Sequence, residues 1–495
     1  VTTGATDKVG ESAPQIFESE GSVDIGGKPF AWEAKTGWLT LYDDDEEKAQ
    51  IFHTYYHSAG GAQADRPLTI VFNGGPGAAS AYLHVGAIGP LRVETNSDGT
   101  LMPAPARLTN NAECWLGFTD LVFIDPVGTG LSHARKPKKE GAAEKDKPDN
   151  KADNDKKEDD GKFYWDVEKD LQSLCDFMDA FLSREGRWQS PIYLAGESYG
   201  GYRAGRLVRM LQEKAGIGLS GAFLISPALE WDHLFSGDFN SLTPALLLPS
   251  LAGAAHFHGA AGVGTDFDTF RQQAEEFALK DYLGAISSGN AQKFYKKIGQ
   301  MLGLSPRLIE AHGGVVTMDM FIRQLKKSEG RVLGRYDAAM VTDDPFPASP
   351  TFEGVDPTLD GMNRVFSVGA NMHIRENLGV KSNNKYELLN YKVNREWQWG
   401  DAAEGSPVPR GAMADMAVAM TMNPAMKLVI SHGYFDLITP YFVSDYLVRQ
   451  LAQSGANVES LSLRHYVGGH MFYTWEASRQ AFFVDVEKVY AANGD

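Results

Sequence analysis

At 495 residues the chain is long enough for one large α/β domain with an inserted subdomain, or for two to three average domains. Its 43% hydrophobic and 22% charged residues are those of a globular protein, and a formal net charge of −17 argues against nucleic acid and anionic membrane surfaces as partners. The two cysteines, Cys114 and Cys175, exclude a disulfide-stapled scaffold and leave one bridge or two buried thiols as alternatives. No Cys/His cluster has metal-ligand spacing, so neither metal nor cofactor is expected. The most apolar stretch, Leu242 to Val263, is broken by Pro244, Pro249, His256 and His258, and no transmembrane helix is expected there. The chain opens on Val1 rather than Met, which points to a removed signal peptide and a secreted or periplasmic location.

Residues 1–28 are polar and weakly patterned and read as a loose arm. From Phe30 to His57 the text alternates and is rich in aromatics on either side of the acidic run Asp43 to Glu47, which predicts an antiparallel hairpin. His53 and His57 lie in that strand text and read as packing or surface residues. Pro67 to Phe72 and Leu121 to Asp125 predict buried strands, the first ending in Asn73-Gly74-Gly75-Pro76-Gly77. Arg135 to Lys162 is almost entirely small, charged and polar, and predicts a solvated, disordered loop. Phe163 to Arg184 places Val167, Leu171, Leu174, Cys175, Met178, Phe181 and Leu182 on one helical face. It leads to the strand Pro191 to Ala195 and then to Gly196-Glu197-Ser198-Tyr199-Gly200 at the start of another helix.

After the strand Gly221 to Ser226 the rhythm turns helical from about Leu229 to Asn371, clearest over Asp266–Leu283, Ala291–Leu302 and Met318–Lys327. Sheet text resumes with Met426 to His432 and Val458 to Tyr466, with helices over Pro440–Leu451 and Trp475–Ala491. Alternating strands and helices predict a mostly parallel sheet covered on both faces. The predicted organisation is an arm over 1–28, a core over 29–228 carrying the charged loop 135–162, a helical cap over 229–371, and a second core segment over 372–495.

Gly-x-Ser-x-Gly between a buried strand and a helix is the context of a nucleophile elbow, in which a tight turn demands small neighbours and holds the serine in a strained conformation. A serine hydroxyl needs a base and a group to orient that base. Asp436 follows one late strand and His470 lies in the glycine-rich loop after the next, so both can reach Ser198 at the carboxyl edge of a parallel sheet. His432 and His465 are rival bases, but both sit within strand text. An oxyanion formed at the serine would need backbone donors, and Tyr199 and Gly75 are placed to supply them.

These motifs, together with Gly469-His470-Met471, resemble the serine carboxypeptidase family of α/β-hydrolases from about Phe30 onward. The resemblance implies an α/β-hydrolase fold with a helical cap and a serine exopeptidase that removes C-terminal residues from peptides. It implies Ser198, Asp436 and His470 as the triad, Gly75 and Tyr199 as oxyanion donors, and Asn73, Gly74 and Glu197 as the grip on the substrate's terminal carboxylate. Glu197 can donate only when protonated, so this grip should work best in acid.

Two departures stand out. Ala78 occupies the position of a frequent family cysteine, and Ala87 stands where a second glutamate usually shares a proton with the one beside the serine. Without that like-charged neighbour Glu197 has less reason to hold its proton. The rival reading is an esterase or acyltransferase on the same triad, which the loss at Ala87 favours; a non-catalytic binding module on a hydrolase scaffold is disfavoured because all the catalytic residue types are in place.

Overall fold

The computed structural model describes residues 15–43, 46–61, 63–135, 159–235, 239–349, 354, 356–400 and 410–492. Its centre is a ten-stranded sheet. In chain order the main strands are β1 (Ile16–Ile25), β2 (Lys28–Asp43), β3 (Glu46–Ser58), β4 (Leu68–Phe72), β5 (Asp120–Ile124), β6 (Ile192–Glu197), β7 (Gly221–Ile225), β8 (Lys427–Gly433) and β9 (Leu461–Tyr466). They lie in the order β1-β2-β3-β5-β4-β6-β7-β8-β9, with the short strand His133–Ala134 paired to β3. From β5 to β9 every pairing is parallel, while β1, β2 and β3 form an antiparallel flank joined to β5.

Successive residues of the central strands enter two separate cores. Leu68, Ile70, Phe72, Leu194 and Leu224 face one, whereas Val71, Tyr193, Ala195, Phe223 and Ile225 face the other. A strand buried on both faces needs apolar side chains at every position, which is why these stretches read as continuous runs rather than as alternation. The helix Val167–Glu185 (α1) and the helix Tyr199–Met210 (α2) close the first core, and the helix Glu476–Ala492 (α3) closes the second through Phe482, Val486 and Tyr490. Asp166 caps α1 by accepting from the amides of Glu168 and Lys169, and Gly186 ends it in the left-handed region. This is the α/β-hydrolase arrangement.

The segment 16–25, expected within a loose arm, is instead β1. Gly26 and Gly27, at φ 58° and 82°, form a two-residue hairpin turn, and β1 pairs with β2 from Ile25 opposite Lys28 to Ile16 opposite Gly37. Its outward polar residues hide the strand signal, but the Gly-Gly turn carries it. Residues 1–14 lie outside the described residues, as does most of the expected charged loop, 136–158.

Between β7 and β8 the chain is mainly helical. The stretch with Pro249 inside it is one helix, Leu242–Phe257, buried from Ala245 to Ala255 and continuous with the first core. No helix among the described residues is long and apolar enough to cross a membrane. The helix Leu359–Met372, which carries two glycines and no side-chain cap, extends through a wider turn to Asn377, so the helical run passes the expected boundary at 371. Its Gly369 lets the backbone approach β-sheet-side residues closely: a Cβ there would lie 2.6 Å from Val93. Cys114 and Cys175 are both buried free thiols.

One buried polar contact ties this helical run to the sheet. The Tyr56 hydroxyl on β3 meets His84 Nε2 at 2.8 Å and His373 Nε2 at 2.6 Å. Burial pushes the His373 pKa down to about 4. An unfolded histidine titrates near 6.5, so the stability gained from a neutral His373 is complete above that pH and is lost as pH falls from about 6.5 to 4. His373→Gln cannot take up that proton. Its stability deficit relative to the parent should shrink by about 2–3 kcal/mol between pH 7.5 and 4.5, read from urea midpoints, and a deficit that stays constant would refute the assignment.

Candidate active site

Ser198 sits between β6 and α2 at φ 63° and ψ −122°, a left-handed conformation that a non-glycine residue holds only under strain. Its amide donates to Ile225 O at 2.9 Å, and its carbonyl accepts from the amides of Gly201 and Ala228. The flanking glycines are required by space. A Cβ on Gly196 would stand 2.1 Å from Gly200 O, and one on Gly200 would stand 2.8 Å from the carbonyl oxygens of both Phe72 and Asn73.

Asp436 lies in the turn after β8 and His470 in the loop after β9, so the carboxyl ends of adjacent parallel strands bring them together. Asp436 Oδ2 accepts from His470 Nδ1 at 2.7 Å, and its Oδ1 accepts from the amides of Ile438 and Thr439 at 2.8 and 3.0 Å. Both side chains are buried. Burial alone would lower the His470 pKa, but the charge and hydrogen bond of Asp436, helped by the charge of Glu197, carry it above its ordinary value. The rival histidines have other partners: His432 Nε2 meets Ser444 Oγ at 2.8 Å and His465 Nε2 meets Asp445 Oδ1 at 2.9 Å.

Ser198 and His470 line one small cavity of about 70 Å³ together with Asn73, Gly74, Gly75 and Glu197. Ser198 also lines a second cavity of about 500 Å³ with Gly75, Tyr199, Trp231, Phe235 and Trp399. Gly74 is what lets the loop after β4 close on the elbow, since a Cβ there would lie 2.5 Å from the Tyr199 amide nitrogen. Seven of the eight expected residues line one or other of these cavities, which share Gly75 and Ser198, and Asp436 is hydrogen-bonded to His470.

The Asn73 amide is fixed in orientation. Its Oδ1 accepts from the Leu83 amide at 3.1 Å, which turns Nδ2 toward Glu197, to which it donates. Tyr473 donates to both Glu197 oxygens at 3.0 Å. Burial pushes the Glu197 pKa up to about 7 against the opposing effects of His470, Tyr473 and Asn73. Ala87 gives Glu197 less reason to hold a proton, but burial acts in the opposite direction and favours the protonated form.

Several residues of this site are invisible as motifs. Arg203, one turn into α2, donates to Asn73 O at 2.6 Å and forms a buried ion pair with Asp170 at 2.7 Å. Its signal is a charge on an otherwise small and apolar helix face. Ser226, at φ 43°, donates to His470 O at 2.8 Å, and Thr439 Oγ1 bonds Asp436 Oδ2 at 2.6 Å. The cap contributes a strap, Arg335 to Ala338. Leu437 N donates to Arg335 O, Ala338 N to Phe435 O, and His470 N to Tyr336 O at 2.5 Å. The Tyr336 ring stands edge-on to His470 at 5.4 Å and lines both cavities. Nothing in the sequence around 336 marks it.

The sequence model of the serine carboxypeptidase family matches residues 26–236, a span that holds the Asn73 loop and Ser198 and ends before Asp436 and His470. The pheromone-processing carboxypeptidase KEX1 of Saccharomyces cerevisiae is 35% identical over 166 residues, which cover 32% of this chain and 18% of that protein. Serine carboxypeptidase-like 36 of Arabidopsis thaliana is 29% identical over 167 residues, covering 33% of this chain and 28% of that one. The chain thus spans less than a third of the length of either of these curated relatives. A solved monoglyceride lipase of Saccharomyces cerevisiae aligns over 99% of both chains at 12% identity with a TM-score of 0.35, a likeness too slight to carry an argument. Over residues 26–236 the chain is thus similar to serine carboxypeptidases.

Proposed function

We propose that the chain is a serine carboxypeptidase that hydrolyses the last peptide bond of substrates with a free C-terminus. Ser198 Oγ attacks the scissile carbonyl while His470 takes its proton, and Asp436 holds the imidazole by Nδ1 and stabilises its charge. The amides of Gly75 and Tyr199 receive the oxyanion. Collapse expels the C-terminal amino acid, whose nitrogen takes the proton from His470, and leaves an acyl-enzyme on Ser198. Water, deprotonated by His470, then releases the shortened peptide. Asn73, Gly74 and Glu197 bind the terminal carboxylate. The larger cavity, walled by Trp231 and Trp399, receives the side chain on the acyl side of the bond. Peptide is the only partner this mechanism requires, and it needs no cofactor. A secreted or periplasmic location remains the companion expectation.

The observation that supports this reading best is the small cavity itself. It has Ser198 and His470 beside a buried Asn73–Glu197 pair. A buried carboxyl with amide and phenol donors next to the serine favours recognition of a chain-end carboxylate over internal cleavage.

The test compares a blocked dipeptide bearing a free C-terminus with the same peptide amidated. The free acid should be strongly preferred below pH 7. Protonated Glu197 is the binding form, and its fraction falls as pH rises through about 7, so KM for the free acid should rise about tenfold per pH unit beyond that. Glu197→Gln keeps a permanent donor, and its KM should be flat across the same range with kcat little changed. Equal cleavage of the amidated peptide would remove terminal-carboxylate recognition. Turnover of simple acyl esters with no peptide cleavage between pH 4 and 8 would instead support the esterase or acyltransferase reading.

A further inference from the structure

The Glu197 carboxyl is held by two side chains, Asn73 and Tyr473, neither of them a carboxylate. Tyr473 follows His470 in a short turn, Phe472–Thr474, and is fully buried behind the cavity rather than lining it. Room for its ring comes from the segment that carries Ala87. A Cβ on the adjacent Gly86 would stand 3.1 Å from Tyr473 Cε2. The phenol ring thus packs where Gly86 carries no side chain.

The donors leave one arrangement for a proton on Glu197. Asn73 cannot turn its acceptor oxygen toward Glu197, because Leu83 N holds it. Among the described residues the Tyr473 hydroxyl has only the two Glu197 oxygens to donate to, so accepting from Glu197 instead would leave its own buried hydrogen unsatisfied. Both neighbours thus occupy acceptor sites. A protonated Glu197 is left with its O–H directed away from them, toward the cavity that it lines with Ser198. The other titratable groups facing Glu197 are Tyr82 from the turn after the Asn73 loop, His470, and Asp436 behind it.

Resting on the carboxypeptidase reading above, we propose that Tyr473 is a positioning residue for substrate recognition: its hydroxyl fixes the Glu197 proton toward the terminal carboxylate of the peptide. Binding a free C-terminus then takes up one proton, which is held between Glu197 and the substrate carboxylate. The same hydroxyl stabilises ionised Glu197 when the site is empty, which keeps that proton exchangeable near neutral pH instead of permanently bound.

The test is Tyr473→Phe, which keeps the ring and removes the hydrogen bond. KM for the free-acid peptide should still rise with pH, but its midpoint should move upward by about one pH unit, because ionised Glu197 has lost a donor. Below the midpoint KM should be several-fold higher, because the proton is no longer aimed. The kcat and the KM for an ester of the same peptide should stay unchanged, and in a Glu197→Gln background the substitution should move nothing. A merely structural role would alter stability or kcat and leave the midpoint where it was. An unmoved midpoint in Tyr473→Phe, with a wild-type KM that does rise, overturns the role of Tyr473 alone. A wild-type enzyme that does not prefer the free acid at any pH overturns the carboxylate reading, and this proposal with it.

Discussion

Ser198→Ala should lower turnover of a free-acid peptide by on the order of 10⁶, the scale on which loss of one member of a serine triad falls. The effect is large because Ser198 is the proposed nucleophile and alanine offers no oxygen in its place. Folding should be nearly unaffected: serine and alanine meet the same strain at φ 63°, and the backbone contacts of residue 198 to Ile225, Gly201 and Ala228 remain. Covalent labelling by a fluorophosphonate should disappear in step. Retention of a few per cent of wild-type turnover, or labelling that persists, would remove Ser198 from the chemistry and revive a binding role for this scaffold.

The largest effect on stability is expected at Arg203. Its guanidinium is fully buried, bonds both oxygens of Asp170 and also donates to the Asn73 carbonyl. Arg203→Met fills much of the same space but leaves Asp170 buried without its cation. Breaking a buried pair in this way typically removes about 3–5 kcal/mol, more than the pair itself contributes, because the surviving charge cannot be solvated. Burial already pushes the Asp170 pKa upward against the pull of Arg203, and without that pull the group should go neutral. Urea unfolding at pH 7 should show the loss, and Arg203→Met combined with Asp170→Leu should recover much of it. The single variant should also raise KM for free-acid peptides, since Asn73 loses the donor that anchors its carbonyl. Two variants that destabilise equally, with no recovery in the pair, would refute the coupling.

What the sequence makes legible follows from local constraint. The elbow can be read because a turn that tight admits only glycine where Gly196 and Gly200 stand, so chemistry is written as spacing. Strands β4, β6, β7 and β8 can be read because burial on two faces forces unbroken apolar runs. Asp436 and His470 can be read by their position after such strands, even though 34 residues separate them. Tyr336 and Tyr473 cannot be read that way. Their roles depend on which distant backbone passes beside them, and neither sits in a pattern that a turn or a buried face imposes. The helix Leu359–Met372 is hidden for a related reason: its glycines lower its intrinsic propensity, and tertiary contacts through Met362, Val365 and Phe366 make up the difference.

The strap from Arg335 to Ala338 bonds the loops of both Asp436 and His470, although it belongs to the inserted helical region and not to the sheet. The insertion therefore helps to fix the positions of both loops by backbone hydrogen bonds. If the proposed triad is right, shortening this segment should lower turnover of even a small ester. Redesigning preference in this scaffold is accordingly safest at the walls of the larger cavity, with the strap left whole.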